Sequence, residues 1–285
     1  MFDALDGVPL VERDATGTRV TVRVPVERAA AQMTGHYPGF PIFPGVLLVD
    51  CVRQAAASAL GTQLRLCRID RARFARPLFE GDALELSLRV TPARTRAWWR
   101  CGPAGCGPTG SWRRNSPSRW GRRWTMLDHA QVRARLRQRP PMLLLDTVRE
   151  FSPPDALVAT KAVTGGEDCY RDMAPGAGIG GFAYPAVLLL ESFGQAVSLL
   201  WSLAELGPAE EVPLMVGIRG LVYGAPALPG DVLEHHVRLS HHSGGVGEFT
   251  GQTRTARGGT VVSVGSMLVV SRPSHTLLPS PTVSV

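Results

Sequence analysis

At 285 residues, with 44% apolar and 19% charged side chains, the chain is long enough for one large domain or two ordinary ones, each with its own core. It has no run of 18 apolar residues, and its opening, MFDALDGVPLVERD, is acidic with no apolar centre, which argues against a membrane-crossing helix and a signal peptide. The net charge of +7 invites a nucleic-acid reading, but eight arginines and no acid lie in residues 94–125, and the remainder holds 23 basic and 24 acidic side chains.

His36 opens the run HYPGFPIFPG, in which Pro44-Gly45 closes an extended stretch and starts a helix. The helix predicted over Val46–Leu60 is apolar nearly all round, the mark of a helix buried inside a fold. Gly81-Asp82 reads as a turn, and ALELSLRV over Ala83–Val90 alternates as a strand. Residues 91–125 contain no Val, Ile, Leu, Phe or Met, yet hold five of the six tryptophans, so they do not alternate as a strand. A second apolar helix is predicted over Val187–Leu203 after Pro185-Ala186, followed by a turn at Gly230-Asp231 and a valine-rich strand over Thr260–Ser271. His235-His236 and His241-His242 lack an acidic or cysteine partner at metal-ligand spacing and are expected at exposed strand ends. Residues 273–285 are expected to form a disordered tail. Cys51, Cys67, Cys101, Cys106 and Cys169 are odd in number and show no C-x-x-C pair, which suggests neither a zinc site nor a disulfide framework and points to the cytoplasm.

The chain repeats itself. HYPGFPIFPGVLLVDCVRQAAA from His36 and AGIGGFAYPAVLLLESFGQAVS from Ala177 match when Asp50 is set on Glu191; Gly39 then falls on Gly180, Pro44 on Pro185 and Gln54 on Gln195. A second pair of blocks follows, RFARPLFEGDALELSLRV from Arg73 and LVYGAPALPGDVLEHHVRL from Leu221, with Gly81-Asp82 on Gly230-Asp231. Matched blocks in a fixed order imply a duplicated unit of about 140 residues. Each unit is a buried helix followed by antiparallel strands, an α+β arrangement with the sheet wrapped on the helix.

HYPGFPIFPGVLLVD is similar to the signature of the bacterial β-hydroxyacyl-acyl carrier protein dehydratases, a histidine opening a PG-rich loop and a carboxylate fourteen residues later, here His36 and Asp50. RPPMLLLD from Arg139 and KAVT from Lys161 resemble the family's first strand and its lead-in. The resemblance implies a double hotdog: a first unit over 1–93, a linking segment over 94–127 and a second unit over 128–272, side by side as a pseudo-dimer. It also implies that the histidine of one unit faces the carboxylate of the other, so that His36 pairs with Glu191 in one live site while Asp50 faces Ala177 in a dead one. The dehydratase domains of modular polyketide synthases look alike in this respect, with a carboxylate followed four residues later by glutamine or histidine, as at Glu191 and Gln195.

Dehydration of a 3-hydroxyacyl thioester needs a base at the carbon next to the carbonyl, an acid for the departing hydroxyl and donors on the thioester oxygen. His36 and Glu191 are the expected base and acid, with Asp50 and Gln195 as secondary candidates. The N–H groups of Gly45 and Val46 at the helix start are the candidate donors. No metal or cofactor is expected beyond the phosphopantetheine arm that carries the substrate. The expected partner is an acyl carrier protein rather than nucleic acid or membrane, and the expected assembly is a monomeric pseudo-dimer or a higher homo-oligomer. Glu191 has no basic residue within a helical turn, whereas Asp50 has Arg53 one turn on, and a plain ion pair accounts for it equally well. Two other functions stay open: a hotdog thioesterase, in which the helix carboxylate activates water, and a non-catalytic acyl-binding or scaffold partner.

Residues 94–125 fit either an arginine-rich linker or a stretch read out of frame in GC-rich DNA. Resequencing the gene decides between them: the second reading requires an in-frame, valine-rich strand pattern to appear, and an unchanged sequence ends it.

Overall fold

The computed structural model describes residues 5–14, 17–75, 77–91, 126–208 and 210–273. The first half begins with a hairpin of strands β1 (Asp6–Asp14) and β2 (Gly17–Pro25) and continues through helix α1 (Ala30–His36), helix α2 (Gly45–Leu60), strand β3 (Arg68–Arg73) and strand β4 (Ala83–Val90). The alternation of β2 sends Val20, Val22 and Val24 into the core and Arg19 and Arg23 to solvent. Pro44 caps the start of α2, and Gly61, in the left-handed region at φ 64°, ends it.

The second half holds helix α3 (His129–Arg135), strands β5 (Thr147–Ser152) and β6 (Ala156–Ala162), helix α4 (Ala186–Leu203) and strands β7 (Glu211–Tyr223), β8 (Val232–Ser243), β9 (Val246–Thr255) and β10 (Thr260–Pro273). Asp128 and Gln131 form a reciprocal capping box at the head of α3. β10 thus continues the expected strand through Pro273, the first residue of the expected tail; residues 274–285 lie outside the described residues.

Two antiparallel sheets result, one ordered β1-β2-β4 against α2 and one ordered β3-β7-β10-β9-β8-β6-β5 against α4. β3 is the exchange between the halves, because it follows α2 in sequence but pairs with β7. Ile69 lies opposite Leu221 and Ala72 opposite Ile218. When Gly81-Asp82 is set on Gly230-Asp231, Ile69 corresponds to Ile218 and Ala72 to Leu221, so the pairing is symmetric about its centre, as a twofold axis requires. Backbone hydrogen bonds extend it at both ends, from Tyr223 N to Cys67 O (2.9 Å) and from Phe74 N to Val216 O (3.0 Å). One core spans both halves and joins Val46, Leu47 and Cys51 of α2 to Leu190, Phe193 and Val197 of α4. Residues 92–125, which include all of 94–125, lie outside the described residues.

Both expected turns form in the same way. Gly81 and Gly230 take φ values of 86° and 95°, and the carboxylates of Asp82 and Asp231 accept the N–H groups of Phe79 and Leu228, each at 2.9 Å. Ile179–Leu203 is long and apolar enough to cross a membrane by length and composition, but most of it is buried inside the fold as the core helix and its lead-in.

The histidine pairs correct the expectation of exposed strand ends. His241 and His242 are exposed and His236 is half-buried, but His235 is fully buried. The strand period explains this, since Leu233, His235 and Val237 take the inward positions of β8. The Nδ1 of His235 bonds the Thr253 hydroxyl at 2.8 Å, its ring stands edge-on to Phe193, and its Nε2 has no partner. Burial depresses its pKa from 6.5 to about 3, helped by the nearby charges of His236 and Lys161. Below pH 6.5 the unfolded chain therefore takes up a proton that the folded chain refuses, and stability falls as pH drops from 6.5 towards 3, by up to about 1.4 kcal/mol per pH unit for this group. Urea unfolding between pH 4 and 7 is expected to show a shallower acid slope for His235→Gln than for the native chain; equal slopes would show that His235 is not a source of acid lability.

Candidate active site

A cavity of about 580 Å³ lies between the halves, lined by residues of both. The first half contributes His36, Gly45 and Val46; the second contributes Glu191, Gly194 and Ser198 of α4 and an apolar wall of Met215, Val216, Met267 and Val269. The sequence-expected pair, His36 and Glu191, thus opens onto one space from opposite halves.

His36 is the last residue of α1, and its Nδ1 lies 3.2 Å from the carbonyl oxygen of Ile42. A carbonyl only accepts, so Nδ1 carries the hydrogen and the neutral ring keeps its lone pair on Nε2. Burial lowers the His36 pKa, opposed by the Glu191 charge and by the bond to Ile42. The imidazole is held neutral near pH 7, and it senses the charge of Glu191. Its neighbour Tyr37 pins the same turn to the second half through a 3.1 Å bond from its hydroxyl to Pro213 O. The Tyr37 phenol is held protonated by burial, with the Glu191 charge acting in the same direction.

Glu191 is 7% exposed and is oriented by Gln195 one turn on, whose Nε2 donates to Oε1 at 2.9 Å. The same Nε2 donates to Met142 O at 2.6 Å, and the Gln195 Oε1 accepts the Leu144 N–H at 2.9 Å. Gln195 therefore ties the acid to the segment that leads into β5. In the first half the corresponding Gln54 donates to Asp50 at 2.8 Å, but Arg53 takes the other oxygen of Asp50 at 2.7 Å. Asp50 is buried, holds this ion pair with Arg53 and does not line the cavity. Gly45 and Val46 are the first two residues of α2, where N–H groups have no intrahelical acceptor, and both line the cavity.

Two residues at the site were not legible from residue type. Gln138 is 5% exposed and lines the cavity; among the described residues no hydrogen bond reaches its amide, which leaves the amide to whatever fills that space. Gly35, just before His36, has no room for a side chain: a Cβ there would sit 2.6 Å from Arg139 O and 3.0 Å from Pro140 O, and Arg139 N donates to Gly35 O at 2.7 Å. Neither residue belongs to a motif, and only the fold brings them to the site. Among the described residues, no three His, Cys, Asp or Glu side chains gather as a metal-ligand set.

Comparison with known proteins agrees with this architecture. Residues 12–107 match the family model described as ApeI-like, ApeI dehydratase. The 3-hydroxyacyl-[acyl-carrier-protein] dehydratase FabZ of Anaeromyxobacter dehalogenans strain 2CP-1 is 36% identical over 135 residues, which is 46% of this chain and 83% of that protein. The chain belongs to the FabZ dehydratase family. The corresponding enzyme of Myxococcus xanthus is 32% identical over 126 residues, 44% of this chain and 80% of the relative. Each relative thus spans less than half of this dehydratase-family chain, as a duplicated protein requires. Among solved structures, the dehydratase domain from the CurJ module of the curacin polyketide synthase superposes with a TM-score of 0.65 at 12% identity, over 97% of this chain and 98% of that one. The bifunctional dehydratase-cyclase domain from ambruticin biosynthesis gives 0.58 at 16% identity, over 97% and 98%. The fold is the double hotdog of such domains.

Gln195→Leu leaves the Leu144 N–H and the Met142 carbonyl buried without a partner, each costing about 1–3 kcal/mol, and frees the Glu191 carboxyl. A lower unfolding midpoint is expected together with a loss of turnover that persists at temperatures where the variant is fully folded. Full activity in the folded variant would show that Gln195 only packs.

Proposed function

We propose that this protein removes water from a 3-hydroxyacyl thioester on an acyl carrier protein and gives the 2-enoyl thioester, in fatty-acid or polyketide assembly. The supporting observation is that His36 and Glu191, from opposite halves, open onto one cavity, while both oxygens of Asp50 are held by Arg53 and Gln54. In this reading, Nε2 of His36 takes the proton from C2 of the substrate. Glu191 delivers its proton to the 3-hydroxyl, the C3–O bond breaks, and water leaves as the C2–C3 double bond forms. The N–H groups of Gly45 and Val46 hold the thioester oxygen as charge builds on it. The step leaves an imidazolium facing a carboxylate, and proton transfer from His36 to Glu191 restores the starting forms.

The chemistry is complete with these side chains, so the enzyme is expected to work without added metal or nucleotide, on a substrate held by a phosphopantetheine arm. The carrier is its working partner, and the two hotdog units, 1–93 and 128–272, act as one pseudo-dimer in the cytoplasm. Kinetics with 3-hydroxyacyl carrier protein test the assignment. His36→Ala is expected to abolish turnover, because Ala177 stands at the matching position of the second repeat. Glu191→Gln is expected to lose on the order of a hundredfold to ten-thousandfold, and Asp50→Asn to keep most activity. An inactive Asp50→Asn beside an active Glu191→Gln would place the chemistry within the first half.

The pH profile supplies a second test. The base acts in its neutral form, and burial sets its pKa below 6.5. Activity should therefore fall at low pH on an acid limb whose midpoint lies below 6.5. An acid limb centred above pH 7 would remove His36 from the role of base.

A further inference from the structure

Gln138 is 5% exposed, yet among the described residues no hydrogen bond reaches its side-chain amide. Its backbone is firmly held. The Arg139 Nη1 donates to the carbonyls of Leu136 (2.8 Å), Arg137 (3.3 Å) and Gln138 itself (2.7 Å). The Arg139 N–H donates to Gly35 O at 2.7 Å. From this fixed backbone the Gln138 side chain lines the cavity that His36 and Glu191 also line. A buried amide without a partner is costly, and a leucine of similar size would line the same space without that cost. An unpaired amide on a clamped backbone is therefore a preorganised contact for a polar atom of the ligand.

Between C1 and C3 the substrate of the proposed reaction carries two polar groups, the thioester oxygen and the 3-hydroxyl. The thioester oxygen has the N–H groups of Gly45 and Val46. The hydroxyl oxygen has the Glu191 carboxyl, which donates to it and leaves the hydroxyl's own hydrogen without an acceptor. The need grows during the reaction, because the water that leaves carries two hydrogens and the Glu191 carboxylate takes one. In an enclosed site the other hydrogen requires a second acceptor. His36 does not supply it, since its Nδ1 faces Ile42 O and its Nε2 takes the proton from C2. Gln138 does, because its amide oxygen is an unused acceptor at the same cavity. It also opens the segment that supports both members of the pair: Arg139 binds Gly35, directly before His36, and Met142 and Leu144 hold Gln195 beside Glu191. We infer that Gln138 is a substrate-binding residue whose amide oxygen accepts the hydrogen of the 3-hydroxyl and then one hydrogen of the departing water. It thereby distinguishes 3-hydroxyacyl thioesters from acyl thioesters that lack the hydroxyl.

This contact rests on the proposed dehydratase reading for the order of atoms, and two measurements separate the two. Calorimetric binding of 3-hydroxybutyryl-pantetheine and butyryl-pantetheine is compared on His36→Ala, which lacks the base, with and without Gln138→Leu. Turnover of 3-hydroxybutyryl carrier protein and thermal midpoints are compared on the native chain, Gln138→Leu and Gln138→Met. His36→Ala should prefer the hydroxylated ligand, and Gln138→Leu should lower that preference by about threefold to tenfold, the worth of one hydrogen bond. In turnover, kcat/KM should fall by at least as much. The thermal midpoint should hold level or rise, because no protein group loses a partner. Gln138→Met, unbranched like glutamine, carries the same comparison should leucine impair folding. An unchanged preference, a loss equal on both ligands, or a lower midpoint in both variants with the preference intact overturns the contact. A Gln138-dependent preference for the hydroxyl without any dehydration by the native chain would keep the contact and refute the proposed reaction; dehydration without that preference would do the reverse.

Discussion

The geometry of the site depends on one buried amide. Gln195 has room in its side chain for two donor hydrogens and two acceptor lone pairs, and the fold uses it as a clamp: the nitrogen serves Glu191 and Met142 O, and the oxygen serves Leu144 N. In a buried setting each of these groups is costly if left alone, so the helix cannot turn about its axis or slide relative to the strand lead-in without breaking several bonds together. The same lead-in closes on the other catalytic side. Its Arg139 N–H binds the Gly35 carbonyl, and its backbone fills the space where Gly35 would carry a Cβ, directly before His36. Residues 139–144 therefore fix the positions of both Glu191 and the turn that carries His36, although His36 lies in the other half of the chain.

The duplication supplies the frame, and the divergence within it supplies the chemistry. Both helices carry a carboxylate with a glutamine one turn later, and in both the glutamine donates to the carboxylate. Of the three residues between, the last differs in charge, Arg53 against Gly194. Arg53 gives Asp50 a close partner, and a carboxylate held by a guanidinium and an amide is satisfied without any ligand. Gly194 gives Glu191 nothing, and the acid keeps an oxygen for the cavity. The second repeat thus has Ala177 where the first has His36, and the first has an ion pair on Asp50 that the second lacks on Glu191.

Much of this was legible in the sequence because it was repeated. Two apolar helices each preceded by a proline, two Gly-Asp turns with alternating strands after them, and a histidine matched with an alanine define the units, the expected pair and the expected asymmetry. What was hidden depends on contacts between distant residues. The pairing of β3 with β7 is carried by backbone groups that every residue possesses, so no residue type announces it. Gln138 and Gly35 lie in no repeated block, and their roles arise from a loop of one half meeting a helix end of the other. His235 misled for a different reason: a polar pair suggests a surface, yet the two-residue period of β8 sends one histidine of the pair inward whatever its chemistry.

The electrostatics of the pair follow from the same enclosure. Burial alone drives His36 towards neutrality, and a base driven too far holds a proton poorly once it has taken one. Two influences oppose that drift, the Glu191 charge and the carbonyl of Ile42. The carbonyl acts throughout, since it binds the Nδ1 hydrogen in both forms of the ring, but the influence of Glu191 depends on its charge. In the proposed reaction, the negative charge left on Glu191 would stabilise the imidazolium formed on His36. On that proposal the coupling would strengthen as charge develops, which would favour the transition state over the bound substrate.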